Sequence, residues 1–173
     1  MKKILFIWIS LFFLTSCKNN ALVNKPSEKQ YVLLVSFDGF RYDYPEKFNL
    51  ENFKKLKEKS SYAKGMIPSF PSKTFPNHYT IITGMYPGSH GLVDNKFYAP
   101  AEDKIYSIPD RQAVQNPKFY GGMPQWQWLQ KHGMKTASYF WVGSEAPIQG
   151  EYPTYWKQYD SNVLYTERVE QVM

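Results

Sequence analysis

The stretch YVLLVSFDGFR, residues 31–41, decides the fold class of this sequence. Its first seven residues are almost continuously apolar, and Asp38 and Gly39 follow them directly. A short run that is apolar on both faces is typical of a strand buried inside a parallel sheet. Ligands of open parallel sheets gather at the carboxyl ends of the strands, where Asp38 is expected to lie. The stretch therefore predicts an α/β domain with a carboxylate placed to hold a metal ion, although a plain Asp-Gly turn explains the same residues equally well.

Helix and strand signals alternate downstream of this run. Apolar residues at three-residue spacing in the lysine-rich stretch 50–60 predict a surface helix. A Pro-rich loop follows, and a helix is expected to start with Pro76 at its first position and to end at Gly84. A further helix is predicted over residues 126–132 and a strand over residues 134–142. This order is the alternation of an α/β protein.

The N-terminus has the features of a targeting segment. Two lysines precede an apolar run over residues 4–14, which is too short for a membrane span of about 20 helical residues. Residues 1–16 are therefore predicted to be a signal peptide. The small residues before Cys17 resemble a bacterial lipobox, which predicts a lipidated Cys17, a polar tether over 17–30, and export to the bacterial cell envelope with membrane contact through the lipid alone. An ordinary signal peptide with a coincidental cysteine is the alternative.

Charge and cysteine content exclude several classes of protein. The formal net charge of +6 is mildly basic, which favours anionic substrates weakly and does not indicate a nucleic-acid partner. Cys17 is the single cysteine, so the chain can form neither an intrachain disulfide nor a thiolate metal site.

The last residues predict the opening of an amphipathic helix. Val169, Val172 and Met173 follow Thr166 at helical spacing, and the pattern stops without a glycine, a proline or a polar end. We therefore expect the intact protein to continue beyond Met173.

Two polar residues beyond Asp38 are candidates for chemistry on phosphate. Thr74 lies just before the predicted helix start, with Phe75 expected as the cap residue, and a helix N-terminus favours anions such as phosphate. A hydroxyl there can attack phosphorus if a cation lowers its pKa, although support of the helix cap is the commoner role. The Asn95 amide can donate to the charge on phosphoryl oxygens, although Asp-Asn is by itself only a turn signal.

Four sequence blocks taken together resemble the nucleotide pyrophosphatase/phosphodiesterase family of the alkaline phosphatase superfamily. They are VSFDGFR at 35–41, FPSKTFPNHY at 70–79, TGMYP at 83–87 and HGLVDN at 90–95. The resemblance continues through WVGSE at 141–145 and PTYW at 153–156 to the end of the chain. It implies an alkaline-phosphatase-like fold, an open, mostly parallel sheet flanked by helices and incomplete at the C-terminus. Residues 31–173 would form the N-terminal part of the catalytic domain.

The resemblance implies a catalytic role for each of three polar residues. Asp38 matches a metal-binding aspartate. Thr74 matches the nucleophile, which also ligates that metal. Asn95 matches the asparagine that stabilises a phosphoryl oxygen, with the backbone N–H of Phe75 expected to share this charge.

The resemblance also implies a substrate site. Phe75 matches one aromatic wall of a nucleobase slot. Trp156, or less directly Tyr155, falls where the opposite wall stands, a position at which the family often has tyrosine. Stacking on such rings contributes about 1–3 kcal/mol per base and tolerates any base.

The implied cofactors are two divalent cations, expected to be Zn2+, held by aspartate and histidine side chains. His78, His90 and His132 match none of the family's ligands, and we expect structural roles for His78 and His90 and a surface role for His132. The remaining ligands are expected beyond Met173.

The implied activity is hydrolysis of phosphodiester or phosphoanhydride bonds through a threonine nucleophile, with a nucleotide or another small phosphodiester as substrate. The 173-residue chain alone is expected to be inactive. Two alternatives stay open: hydrolysis of phospholipid-like, phosphonate or phosphomonoester substrates by the same scaffold, and a surface lipoprotein that binds ligands without turnover.

Overall fold

The computed structural model of the protein describes residues 31–173. The predicted signal peptide, Cys17 and the tether over 17–30 lie outside the described residues. The chain divides into two compact units, Met1–Phe37 and Asp38–Met173. All regular elements given below belong to the second unit.

Short helices dominate the second unit. They are α1 Tyr44–Lys47, α2 Glu51–Glu58, α3 Thr74–Thr83, α4 Pro87–His90, α5 Arg111–Val114, α6 Gln125–Lys131 and α7 Tyr165–Val172, with a 3-10 turn at Pro117–Phe119. None of the helices within residues 31–173 combines the length and the apolar character that a membrane span requires.

Four short strands form two separate sheets. They are β1 Lys96–Ala99, β2 Lys104–Ser107, β3 Ala137–Tyr139 and β4 Tyr155–Lys157. β1 and β2 pair antiparallel with Phe97 opposite Tyr106, and β3 and β4 pair parallel with Ser138 opposite Trp156. Parallel pairing in the described part of the chain is thus confined to β3 and β4.

The predicted buried strand over residues 31–37 is wrong for this structure. These residues have no strand pairing and their side chains are exposed, with Val32 95% exposed. An apolar run becomes a central strand only when neighbouring strands supply hydrogen bonds along both of its edges. β1 to β4 pair only with each other, so the described elements give this run no partner strand.

Three predicted helices form with small shifts at their ends. α2 covers the expected stretch, and α6 begins at Gln125 with Pro124 as its cap residue. α3 begins at Thr74 rather than at Pro76, and Lys73 rather than Phe75 is its cap residue. Proline is tolerated in this first turn because its missing N–H would have no partner inside the helix.

The C-terminal half confirms the predicted element types. α7 forms where the apolar pattern opens an amphipathic helix. β3 is shorter than the predicted strand over 134–142, since it begins at Ala137 and the φ of +65° at Phe140 ends the extended backbone.

An aromatic core holds α3 in place. Tyr79 and Ile82 of α3 are buried, and the Tyr79 ring meets the Tyr120 ring edge to face at 5.3 Å. The Tyr106 ring of β2 packs against Phe119 at 5.2 Å. The Tyr106 and Tyr120 hydroxyls are hydrogen-bonded at 3.0 Å, so the polar tips of these buried rings are satisfied. The core therefore fixes the helix that begins with Thr74.

Candidate active site

The first residue of α3 lies against the aspartate that follows the apolar run. The hydroxyl of Thr74, which is half-buried, donates a hydrogen bond to Oδ2 of the exposed Asp38 at 3.1 Å. The two residues are 36 positions apart in the sequence. The structure thus brings together a hydroxyl and a carboxylate at the N-terminus of a helix, where backbone N–H groups favour anions.

The oxygens of Asp38 and Thr74 lie close enough together to bind the same divalent cation. Oxygen ligands about 2.0–2.2 Å from a tetrahedral zinc ion lie about 3.3–3.6 Å from each other, and the observed 3.1 Å between Oδ2 and Oγ1 is slightly shorter than that spacing. Within residues 31–173, however, no three His, Cys, Asp or Glu side chains gather in one place. Zinc sites in proteins use three or four protein ligands, so this pair supplies part of a ligand set.

A hydrogen bond to the helix start fixes the orientation of Asn95. The backbone N–H of Phe75 donates to Oδ1 of Asn95 at 3.0 Å. Because an N–H must meet an oxygen, the Asn95 amide is oriented with Nδ2 away from Phe75. In this structure the Phe75 N–H is engaged by Asn95, and the expectation that it shares phosphoryl charge stays a prediction. The Nδ2 hydrogens of Asn95 have no acceptor among the described residues.

The β1–β2 hairpin carries Asn95 to the start of α3. Asn95 directly precedes β1, and its backbone carbonyl accepts from the N–H of Ile108, just beyond β2, at 3.2 Å. The backbone N–H of Asn95 donates to its neighbour Asp94 at 2.6 Å. These bonds fix the backbone of Asn95 while its side chain reaches α3.

The aromatic residues expected at the substrate site lie on different elements. The half-buried Phe75 ring lies 6.3 Å from the Tyr106 ring. Trp156 on β4 is 37% exposed and stacks on Tyr152 at 4.5 Å with an angle of 6° between the planes, while Tyr155 is 59% exposed. Within residues 31–173, the structure records no ring contact between Phe75 and either β4 residue, and one face of Trp156 is covered by Tyr152.

Each of the three histidines bonds to the chain itself. Nδ1 of His78 contacts the carbonyl oxygen of Thr74 at 2.8 Å, and Nδ1 of His132 contacts that of Trp128 at 2.7 Å. His90 is fully buried and contacts the hydroxyl of Thr80 at 3.1 Å. These contacts agree with the structural and surface roles expected from the sequence.

Sequence reasoning missed Asn77, which organises the loop before Thr74. Its side chain bonds to the backbone of Ser69, Pro71 and Lys73. The signal was present in the sequence, because asparagine is a poor helix former that prefers to bond nearby backbone groups. An asparagine directly after the first helical turn indicates such bonds.

Comparison with known proteins gives a consistent result. The family model described as Type I phosphodiesterase / nucleotide pyrophosphatase matches residues 32–173. Venom phosphodiesterase of Macrovipera lebetinus is 40% identical over 161 residues, which are 91% of this chain and 19% of that protein. Human ectonucleotide pyrophosphatase/phosphodiesterase family member 1 is 39% identical over 158 residues, 87% of this chain and 17% of that protein. The chain thus spans about a fifth of the length of the curated relatives that it matches.

Solved structures match the fold as well. Murine ectonucleotide pyrophosphatase/phosphodiesterase 5 superposes with a TM-score of 0.78 at 33% identity, over 83% of this chain and 38% of that chain. An inactive Thr-to-Ala variant of the murine protein, in complex with AMP, gives a TM-score of 0.79 at 32% identity over the same shares. These matches confirm the predicted alkaline-phosphatase-like fold class. The chain belongs to the type I phosphodiesterase/nucleotide pyrophosphatase family.

Proposed function

We propose that the full-length protein is a metal-dependent phosphodiesterase that cleaves phosphodiester or phosphoanhydride bonds with Thr74 as the nucleophile. The observation that carries the proposal is the 3.1 Å hydrogen bond between the Thr74 hydroxyl and Asp38 at the first residue of α3. Family membership supports the reaction class. The inactivity of a Thr-to-Ala variant of the murine relative supports a threonine in the central role.

The residues of this chain divide the work as follows. Asp38 accepts the hydroxyl hydrogen of Thr74 and so turns a lone pair of Oγ1 away from the carboxylate. The N-terminus of α3 favours the phosphate group in front of that lone pair. Asp38 and Thr74 together would hold a divalent cation, whose chemistry when bound is to lower the pKa of the hydroxyl. Asn95 donates its Nδ2 hydrogens to the charge that develops on the phosphoryl oxygens.

The bond changes are those of a two-step displacement. The Thr74 hydroxyl releases its proton to water and Oγ1 forms a bond to phosphorus. The bond from phosphorus to the leaving oxygen breaks at the same time, and that oxygen takes up a proton from water. Water then cleaves the resulting phosphothreonine and restores the hydroxyl. A nucleotide substrate would be released as a nucleoside monophosphate.

A nucleotide is the substrate class that we propose. Phe75 and Trp156 keep part of their ring surface accessible, and stacked bases gain about 1–3 kcal/mol on such rings. The murine relative was solved in complex with AMP. The N-terminal segment supports a further proposal: the enzyme is exported, and a lipid on Cys17 anchors it to the membrane of the cell envelope.

Replacement of Thr74 by alanine in the full-length protein tests the nucleophile. We expect turnover of bis-p-nitrophenyl phosphate to fall by at least about a thousandfold. Binding of AMP should persist, because the variant removes a single hydroxyl and leaves Phe75 and Asn95 unchanged. Thr83→Ala is the matched control, because Thr83 ends the same helix and, among residues 31–173, its hydroxyl bonds the Tyr79 carbonyl and the Met85 N–H. Activity of Thr74→Ala equal to that of the control would overturn the assignment.

A further inference from the structure

The side chain of Asn77 holds the loop before α3 and has no part in the mechanism above. Its Oδ1 accepts from the backbone N–H of Ser69 at 2.7 Å and from the Ser69 hydroxyl at 3.0 Å. Its Nδ2 donates to the carbonyl oxygens of Pro71 and Lys73, both at 2.9 Å. Both hydrogens and both lone pairs of the amide are therefore used on the loop Ser69–Lys73.

A chain of hydrogen bonds leads from this amide to a buried histidine, and its direction is fixed. The Ser69 hydroxyl gives its one hydrogen to Asn77, so it accepts from the Thr80 hydroxyl at 3.3 Å. Thr80 in turn accepts from Nε2 of His90 at 3.1 Å. The other ring nitrogen of His90 accepts from the N–H of Leu92 at 3.1 Å, which places the single imidazole proton on Nε2.

The histidine at the end of this chain is anchored in the core. His90 is 0% exposed, and its ring meets the Tyr79 ring edge to face at 5.0 Å. Its backbone carbonyl accepts from the N–H of Gly121 at 2.8 Å, and the Tyr79 hydroxyl donates to the Gly121 carbonyl at 3.0 Å. Packed interiors deform little, so the His90 end of this series of hydrogen bonds is held in a fixed position relative to the loop.

We propose that Asn77 is a positioning residue for the Thr74 hydroxyl, and that Ser69, Thr80 and His90 anchor it to the core. The inference rests on the proposed function, because it acts through Thr74 as nucleophile. The carbonyl of Lys73, the cap residue of α3, accepts from the side chain of Asn77 at 2.9 Å and from its backbone N–H at 3.2 Å. These two bonds set the direction in which residue 74 leaves the loop.

Positioning of this kind acts on the rate more than on substrate binding. A nucleophile must approach its target atom to about 3–3.5 Å with the correct orientation, and a misplacement of about 1 Å costs about a hundredfold in rate. All the side-chain hydrogen bonds of Asn77 go to the loop. Replacing Asn77 therefore leaves the contacts between the protein and the substrate in place. We therefore expect the loss of Asn77 to lower kcat while KM changes little.

The first test replaces Asn77 by alanine in the full-length, Zn2+-loaded protein. We expect kcat per folded molecule to fall about 10- to 100-fold and KM to stay within about threefold. Asn116→Ala is the matched control, because Asn116 is also half-buried and also bonds a backbone N–H, that of Lys118 at 3.1 Å, at the start of the 3-10 turn. The control should keep the kcat of the unmodified protein.

A second pair of variants decides the question if Asn77→Ala does not fold. Thr80→Val keeps the shape of the side chain and removes the hydroxyl, whereas Thr80→Ser keeps the hydroxyl. We expect the valine variant to lose kcat at unchanged KM and the serine variant to retain it. A structural role without positioning would not separate kcat from KM in this way.

The results also separate this inference from the proposed function. The positioning role is overturned if Thr74→Ala loses most of its activity while Asn77→Ala keeps an unchanged kcat. Thr80→Val takes the place of Asn77→Ala if that variant does not fold. Either result leaves Thr74 as the nucleophile. Full activity of Thr74→Ala overturns the proposed function itself. An effect of Asn77→Ala on KM with kcat unchanged also contradicts the inference, because it would place Asn77 in binding.

Discussion

At the residue scale, one hydrogen bond decides what Asn95 can do. The Phe75 N–H occupies Oδ1 of Asn95 at 3.0 Å, so only Nδ2 can face a phosphoryl oxygen. The sequence alone does not reveal this division, because an asparagine can present either atom in either direction. In this structure the oxygen of the amide therefore bonds the protein, and we propose that the Nδ2 hydrogens bond the ligand.

This division predicts a specific effect of Asn95→Asp in the full-length protein. An aspartate still accepts from the Phe75 N–H, so the fold should be retained, but it presents an oxygen where the phosphoryl group needs a donor. We expect kcat for bis-p-nitrophenyl phosphate to fall about 100- to 1,000-fold, the usual effect of losing such a donor.

The same exchange at Asn116 is the control for this prediction. Asn116 is the cap residue of the 3-10 turn at Pro117–Phe119, where its side-chain oxygen accepts from a backbone N–H. An aspartate there keeps that bond, and activity should not change. Wild-type activity in Asn95→Asp would show that Nδ2 does not face the substrate.

At the scale of elements, the contact between α3 and α4 depends on a neutral histidine. Burial lowers the pKa of His90 below its ordinary value of 6.5, and hydrogen bonding to the backbone opposes this shift in part. The titratable neighbour Tyr79 stays neutral, because burial raises its pKa. Glu102 and Lys118, which line the cavity beside His90, pair with each other at 3.0 Å.

The depressed pKa of His90 predicts that the protein loses stability in acid. Well above pH 6.5 the ring is neutral in both the folded and the unfolded chain, and its full contribution to stability is present. As the pH falls, the unfolded chain takes up the proton first, so the free energy of unfolding decreases until the pH passes below the lowered pKa of the folded state. A protonated ring would also set Nδ1–H against the Leu92 N–H.

Urea denaturation between about pH 7 and pH 5, the range in which histidine titrates, measures this effect. We expect His90→Gln to be less stable at neutral pH and to show a shallower loss of stability in acid than the unmodified protein. His132→Gln is the control, because His132 is exposed, and it should keep the unmodified slope. An equal slope in His90→Gln would contradict the role given to burial.

At the scale of the whole molecule, residues 31–173 bring together two candidate ligands of the expected metal site. Asp38 and Thr74 are adjacent, but no group of three metal-binding side chains forms within residues 31–173. We therefore expect the purified chain to bind Zn2+ weakly in calorimetry. Its turnover of bis-p-nitrophenyl phosphate with added Zn2+ should equal that of the same chain carrying Thr74→Ala. Zinc-dependent turnover above this background would show that these residues suffice for catalysis.

Sequence alone determined the family, the types of most elements and the candidate catalytic residues. Blocks such as FPSKTFPNHY, residues 70–79, identify the family through their composition and order. Helices such as α2 and α6 follow from local apolar spacing and from proline and glycine at their ends, because these signals act within one or two turns.

Only the tertiary structure decided how the site is assembled. The contact of Asp38 with Thr74 spans 36 residues and that of Phe75 with Asn95 spans 20, so neither follows from local spacing. The apolar run at 31–37 does not form the predicted buried strand, because a central strand depends on partner strands as well as on its own residues. The hydrogen bonds between Asn77 and its loop likewise depend on the tertiary structure, since only the folded backbone brings four bonding groups around one amide.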